Sequence, residues 1–232
     1  GSPDPLTRPA FFPPGPAAGA PGQGGAAYPV SAEVFMDRIV LASQSPRRQA
    51  LLRQVGLTDF SILVPNADES FDPALPPEEI VCGLSGRKAA AAAAHCGAGD
   101  LIIAADTMVF LDDQRLGKPR DRADAFRMLS ALSGRTHRVC TGLTVRRGDR
   151  ADTQCESTLV RFRQLEPEQI RSYIATGEPM DKAGSYGIQG RGALLVESIQ
   201  GDYFNVMGLP LQRLSRMLET FGLDLFAREV AL

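Results

Sequence analysis

The sequence predicts an α/β chain, α+β in detail, with a mixed and partly antiparallel sheet, flanking helices and a cleft. Three observations predict it. Leu101 to Ala105 is a continuous apolar run, the pattern of a strand covered on both faces. His137 to Arg146 and Thr153 to Arg163 alternate as antiparallel strands around a turn at Gly148 and Asp149. Capped helical stretches lie between these strands without strict βαβ alternation.

The elements follow in order. Residues 1–36 are rich in Pro, Gly and Ala and read as a flexible leader. Gly1-Ser2, with no methionine, reads as a cloning remnant, and Met36 as near the natural start. The leader lacks the apolar core of a signal peptide and is poor in Arg and Ser for a transit peptide. Residues 37–232 read as a single folded domain.

Arg38 to Ser43 predicts a buried strand, and Ser45 to Val55 a helix closed by Gly56. Phe60 to Val64 predicts a second strand. Pro76 to Cys96 predicts a long helix with an alanine run, stopped at Gly97. After Leu101 to Ala105, Met108 to Leu111 and the residues around Arg115 predict a hairpin. Asp121 to Leu132 is a helix with an Asp cap and a Gly134 stop. Pro167 to Ala175 is a helix ending at Gly177. Ala193 to Ile199 and Tyr203 to Val206 predict a last hairpin around Gly201, and Leu209 to Phe221 the closing helix. No internal repeat is present.

Bulk properties narrow the function. A hydrophobic content of 44% supports a real core. A net charge of −2 provides no global field toward nucleic acid or an anionic membrane, so any anion site must be local. No run approaches the ~18 apolar residues that span a bilayer. Cys82, Cys96, Cys140 and Cys155 form no CxxC pair and read as reduced thiols of a cytoplasmic protein.

The segment LASQSPRRQALL, Leu41 to Leu52, points to such a local site. Ser45 suits an N-cap and Pro46 the first helical position, which places Arg47 and Arg48 in the first turn. The positive end of the helix dipole disfavours cations there. A docked anion such as a phosphate resolves the conflict.

Other residues carry chemistry only in combination. Asp106 follows an apolar strand, where α/β sheets place ligands, but an Asp there also simply ends strands. Asp68, Glu69 and Asp72 read as a solvated loop or as a carboxylate source for magnesium. Lys118, between Gly117 and Pro119, reads as an exposed turn or as a phosphate contact. Lys88 reads as part of a solvated helix face or as a cation facing a site. The segment DKAGSYGIQGRG, Asp181 to Gly192, reads as a surface loop or as backbone that approaches a ligand closely. Within it Gln189 both donates and accepts, as reading a base edge requires. P-loop, GxGxxG, GxSxG and HExxH motifs are absent. With two histidines, chemistry would rest on carboxylates, a metal and cationic clamps.

Seven motifs occur in order: SxSPRR at Ser43 to Arg48, Glu69, Lys88, ADT at Ala105 to Thr107, GKP at Gly117 to Pro119, LSGRTH at Leu132 to His137, and GEPMDKAGSYGIQG at Gly177 to Gly190. Together they resemble the Maf family of nucleoside triphosphate pyrophosphatases, from about Ile39 to Phe221. The wording MDKAGSYGIQG is similar to the subgroup acting on dTTP, UTP and related or modified pyrimidine nucleotides. The sister subgroup, acting on 7-methyl-GTP, usually replaces the glutamine.

The resemblance implies a two-lobed fold around a deep cleft, a small nucleotide substrate, and often a homodimer. It implies no nucleic-acid polymer and no membrane. Asp106 would be the catalytic acceptor, with Glu69, Lys88 and Lys118 assisting. Glu69 and Asp106 would hold a divalent cation, Mg²⁺ or Mn²⁺. Ser43, Ser45, Arg47, Arg48, Thr107, Asp181, Lys182 and Gln189 would bind or select the substrate, with Arg47, Thr107 and Gln189 setting specificity. A nucleotidyltransferase is a second reading, but it would usually carry a GxGxR-type loop after the first strand. A non-catalytic nucleotide-binding division regulator is a third, and the intact acidic and basic positions argue against it.

Overall fold

The computed structural model describes residues 38–227. The leader over residues 1–36 and the last positions, 228–232, lie outside the described residues.

Strands β1 (Ile39–Leu41), β2 (Ser61–Ile62), β3 (Leu101–Leu111), β4 (Gln114–Leu116), β5 (Thr136–Arg147), β6 (Arg150–Phe162) and β7 (Val196–Gln200) form one mixed sheet. Its order is β2-β1-β3-β5-β6-β7, with β4 paired to β3. The β1 pairings to β2 and β3 are parallel and the other pairings antiparallel. The helices are α1 (Pro46–Gln54), α2 (Pro77–Ala93), α3 (Arg122–Leu132), α4 (Pro167–Ala175), α5 (Tyr203–Met207) and α6 (Leu211–Thr220). Among the described residues, no helix is long and apolar enough to cross a membrane.

Two layers of side chains cover the sheet. Ile102 and Ala104 of β3 pack under Ala89 and Ala92 of α2, and Met108 and Phe110 pack with Ile80, Val81 and Leu84. The intervening residues Leu101, Ile103, Ala105, Val109 and Leu111 face the other way, into the main core with α1, α3, α4 and α6. This alternation is the period-2 geometry of a strand. The alanines of α2 let its backbone lie close to the sheet.

Gly142 of β5 makes this approach possible. A Cβ there would lie 2.0 Å from the Val81 carbonyl oxygen and 2.7 Å from the Cys82 nitrogen. The backbone of α2 therefore rests directly on β5. Gly142 is also the cross-strand partner of Asp106. Ser85, one turn along α2, adds a buried 2.9 Å hydrogen bond with Thr144 of β5.

Three expectations are corrected. The strand expected to stop at Ala105 runs on to Leu111, so Asp106 lies inside β3 rather than at its end. Pairing with β5 from Ile102 to Phe110 carries the strand through two polar residues. The hairpin expected over Ala193 to Val206 does not form. Gly190–Leu195 is a 3₁₀ segment, β7 pairs with β6 rather than with a following strand, and Tyr203–Met207 is α5, capped by the Asp202 carboxylate accepting from the Phe204 N–H. Ser45 stands at the N-cap of α1, but its side chain makes no capping bond.

Gly142→Ala should lower stability by about 3 kcal/mol, because backbone rather than a flexible side chain occupies the space. A urea-unfolding midpoint equal to that of the parent would contradict the close contact.

Candidate active site

Asp106 occupies a particular stretch of β3. One edge of the strand pairs with β5 along nearly its whole length. The other edge pairs with β1 over Leu101 to Ile103 and with β4 over Val109 to Leu111. Residues 104–108 lie between these two pairings. Alternation points Asp106 toward α2 and Thr107 toward the opposite face.

On the α2 face, the Lys88 ammonium donates to Asp106 Oδ1 and lies 3.0 Å from Glu69 Oε1. Lys88 is seven residues beyond Val81, about two helical turns, so the contact at Gly142 also sets its position. The Asp106 and Lys88 side chains are 13% and 18% exposed, whereas Glu69 is 70% exposed. Solvent therefore screens the Glu69 contact much more than the Asp106 contact.

On the opposite face, Arg48 commits its guanidinium to three internal acceptors. Nε donates to the Gly208 carbonyl at 2.8 Å, Nη1 to Ser43 Oγ at 3.1 Å and Nη2 to Thr107 Oγ1 at 3.0 Å. The Thr107 hydroxyl also bonds that of Thr141 at 2.9 Å, and Thr141 donates to the Asn205 carbonyl at 3.2 Å. Ser43 Oγ accepts the Ser45 N–H at 3.2 Å. Burial pushes the Arg48 guanidinium down to about 10, with Asp106 pulling upward and Arg47 adding to the fall. Arg47 is held loosely, 3.8 Å from the exposed Asp181 carboxylate.

Asp181 and Lys182 begin the glycine-rich loop. Lys182 Nζ donates to Asp181 Oδ1 at 2.6 Å and to the Glu178 carbonyl at 2.7 Å. Burial pushes the Asp181 carboxyl up, but the Lys182 ammonium outweighs it and the group ends below its ordinary value. Gly184, at φ +70°, packs against Val109, and its N–H donates to the Gly117 carbonyl at 3.1 Å. That bond brings the Lys118 turn beside the loop. Ser185 follows at φ +60°, a left-handed conformation uncommon for a non-glycine residue.

The structure thus joins Glu69, Lys88 and Asp106 in one group, Ser43, Arg48 and Thr107 in another, and Arg47, Asp181 and Lys182 in a third. Asp106 reaches the second group through its charge, which pulls the Arg48 guanidinium upward. Lys118 and Gln189 are exposed, and neither side chain makes a hydrogen bond or ion pair with another described residue.

Glu178 was absent from the sequence-based candidates. Its carboxylate accepts from the N–H groups of Arg191 and Gly192, each at 3.0 Å, and from the Tyr173 hydroxyl at 2.9 Å. Burial pushes this carboxyl up, but the two N–H donors bring it below its ordinary value. The available signal was an acid beside a loop whose backbone donors need acceptors. At the other side of the loop, Tyr186 is buried against Phe162 and His137, with 2.8 Å between its hydroxyl and His137 Nε2.

Glu69 and Asp106 both turn hard oxygen donors to the Lys88 ammonium, so a cation shared by the two carboxylates would bind beside or in place of it. Such a pair fits Mg²⁺ or Mn²⁺ shared with phosphate oxygens, since Mg²⁺ takes one or two carboxylates plus substrate oxygens. It does not make a closed structural site. Among the described residues, no group of three or more His, Cys, Asp or Glu is arranged to hold a metal ion. The four cysteines are free thiols.

A family model described as "Maf-like protein" matches residues 38–221. The dTTP/UTP pyrophosphatase of Symbiobacterium thermophilum is 52% identical over 191 residues, covering 82% of this chain and 97% of that protein. The dTTP/UTP pyrophosphatase of Moorella thermoacetica is 52% identical over 197 residues, covering 83% of this chain and 100% of that protein. That of Bacillus velezensis is 46% identical over 186 residues, covering 80% and 97%.

His137 makes the loop anchor sensitive to acid. Burial lowers its imidazole from 6.5 to about 4, and the imidazolium would carry a proton on Nδ1, which has no hydrogen-bond partner among the described residues. Above pH 6.5 both folded and unfolded chains hold it neutral. As pH falls from 6.5 toward 4 only the unfolded chain gains the proton, so stability falls by about 3 kcal/mol. Urea unfolding across that range should show a shallower pH slope in His137→Gln, and an unchanged slope would refute the assignment.

Proposed function

Because the chain belongs to the Maf family, we propose that it hydrolyses dTTP, UTP and related pyrimidine nucleotides to the monophosphate and pyrophosphate. The observation that carries this reading is the placement of Asp106 between the two edge pairings of β3, with Lys88 and Glu69 converging on it. A carboxylate, a second carboxylate and an ammonium at one point suit attack of water on a phosphate.

In this reading Asp106 orients the water and accepts its proton as oxygen attacks the α-phosphorus. The bond from that phosphorus to the oxygen bridging to the β-phosphate breaks, and pyrophosphate leaves. Lys88 keeps the Asp106 carboxylate in place through a largely enclosed contact. Glu69 and Asp106 would hold Mg²⁺ or Mn²⁺, which when bound would supply positive charge to offset that building on the leaving group. Arg47, Lys118 and Lys182 spread the triphosphate charge, because their ammonium and guanidinium groups are held loosely or by neighbours that a phosphate can replace. Arg48 acts from beneath, fixing Ser43 and Thr107. Ser43 and Ser45 supply hydroxyls at the start of α1. Gln189 and Arg47 select the pyrimidine, since a mismatched base would strand polar groups of the site.

The test is pyrophosphate release from dTTP, UTP, purine triphosphates and 7-methyl-GTP with Mg²⁺. Release from dTTP and UTP well above the others is expected. Asp106→Asn should lower kcat by about 10²–10⁴-fold while nucleotide binding is kept. Turnover near the parent rate in that variant would overturn the role of Asp106.

A further inference from the structure

We propose that Arg87 is a positioning residue for the divalent cation, acting through the loop that carries Glu69. The proposal rests on the reading that Glu69 helps to hold that cation. Arg87 directly precedes Lys88 on α2, and its side chain points to the loop rather than to Asp106. Its Nε donates to the Asp68 carbonyl at 2.9 Å and its Nη2 to the Ser70 carbonyl at 2.5 Å. The two acceptors flank Glu69 on either side. A single planar guanidinium thus grips the backbone immediately before and after the carboxylate in question.

The loop needs such a grip. Residues 63–76 connect β2 to α2 without a regular element. Within the connection, the Asp68 carboxylate accepts from the Ser70 N–H and hydroxyl at 2.9 and 2.7 Å. Those bonds shape the turn around Glu69 but attach it to nothing else. The Glu69 side chain is 70% exposed, so packing does not hold it. Its own ion pair with Lys88 is screened and competes with the Asp106 contact on the same ammonium. Phe71 packs beside the α2 core and lies 4.7 Å beneath the Arg115 guanidinium, which fixes the chain two residues further on. The two Arg87 bonds fix it at Glu69 itself.

Arginine suits this task because its donors lie in a rigid plane and can span two carbonyls. A lysine presents one point charge and cannot reproduce that span. Charge at position 87 alone is therefore insufficient.

Residues that fix metal ligands typically change metal affinity by about 10–100-fold when removed. The full chain and its Arg87→Gln and Arg87→Lys variants are titrated with Mn²⁺ in the presence of a dUTP analogue whose α,β-bridge is an imido group. Bound Mn²⁺ is read by electron paramagnetic resonance, so the measurement requires no turnover. Arg87→Gln should weaken Mn²⁺ binding at least about tenfold, with Arg87→Lys only partly restoring it. Amide exchange over residues 68–72 should quicken in Arg87→Gln, while thermal unfolding stays at the parent value. In turnover, the metal requirement should rise, the nucleotide KM at saturating Mn²⁺ should hold, and excess Mn²⁺ should restore kcat.

Equal Mn²⁺ affinity in the parent and Arg87→Gln, or absence of Mn²⁺ binding by the parent, would overturn the proposal. A parent that releases no pyrophosphate from dTTP or UTP would instead overturn the proposed reaction. The Mn²⁺ and exchange measurements would still decide the role of Arg87.

Discussion

The missing side chain at Gly142 sets the height of α2 above the sheet, and the arrangement around Asp106 depends on that height. A helix backbone in contact with a strand backbone leaves little room for adjustment, because neither partner can rotate away. Two helical turns further on, the same helix presents Lys88 to Asp106. The alanines beyond continue the close contact over β1 and the start of β3. Small residues therefore do more than fill space here. They fix the distance across which one ammonium can reach two carboxylates.

The two adjacent arginines of α1 divide their work. Arg48 is enclosed and bonded to three acceptors drawn from three separate parts of the chain. Among the described residues, Arg47 is held only by a long, exposed ion pair. One residue stiffens the floor of the site and the other leaves its charge available. An arginine enclosed in this way would be costly without hydrogen-bond acceptors for its donors. Ser43, Thr107 and the Gly208 carbonyl supply them. The cationic helix start that looks unfavourable from local electrostatics is thereby half explained by bonds inside the protein, before any ligand is considered.

Much of the fold could be read from the sequence, because its signals there are local. The apolar run of β3, the alternation of β5 and β6, the Asp121 cap and the Pro167 helix start all appear within a few residues. The failures share a cause in contacts between distant positions. Asp106 and Thr107 interrupt an apolar run, so the run appears to end, yet β5 supplies partners past both. Tyr203, Phe204 and Val206 carry strand-forming side chains, but Asp202 caps a helical turn and burial of Met207 holds it against the core. For the site, the motifs identified which residues to inspect. They did not reveal that Arg48 points inward, that Glu178 ties down the glycine-rich loop, or that Arg87 grips the turn at Glu69. Each of these depends on a side chain meeting backbone from elsewhere, and backbone acceptors leave no mark on composition.

The Arg48 bond to Gly208 joins positions 160 residues apart. Closing so large a loop carries an entropic cost, and contacts of long sequence separation slow folding as a whole. A chain still being synthesised holds Asp106, Lys88 and Glu69 long before it holds the carbonyl that steadies Arg48. The site therefore becomes complete only once nearly the whole domain has been made. A growing chain with the sheet begun and Gly208 not yet made would lack a fixed Thr107 and Ser43. Competence in this molecule is a property of the finished chain, acquired at one end by a residue supplied from the other.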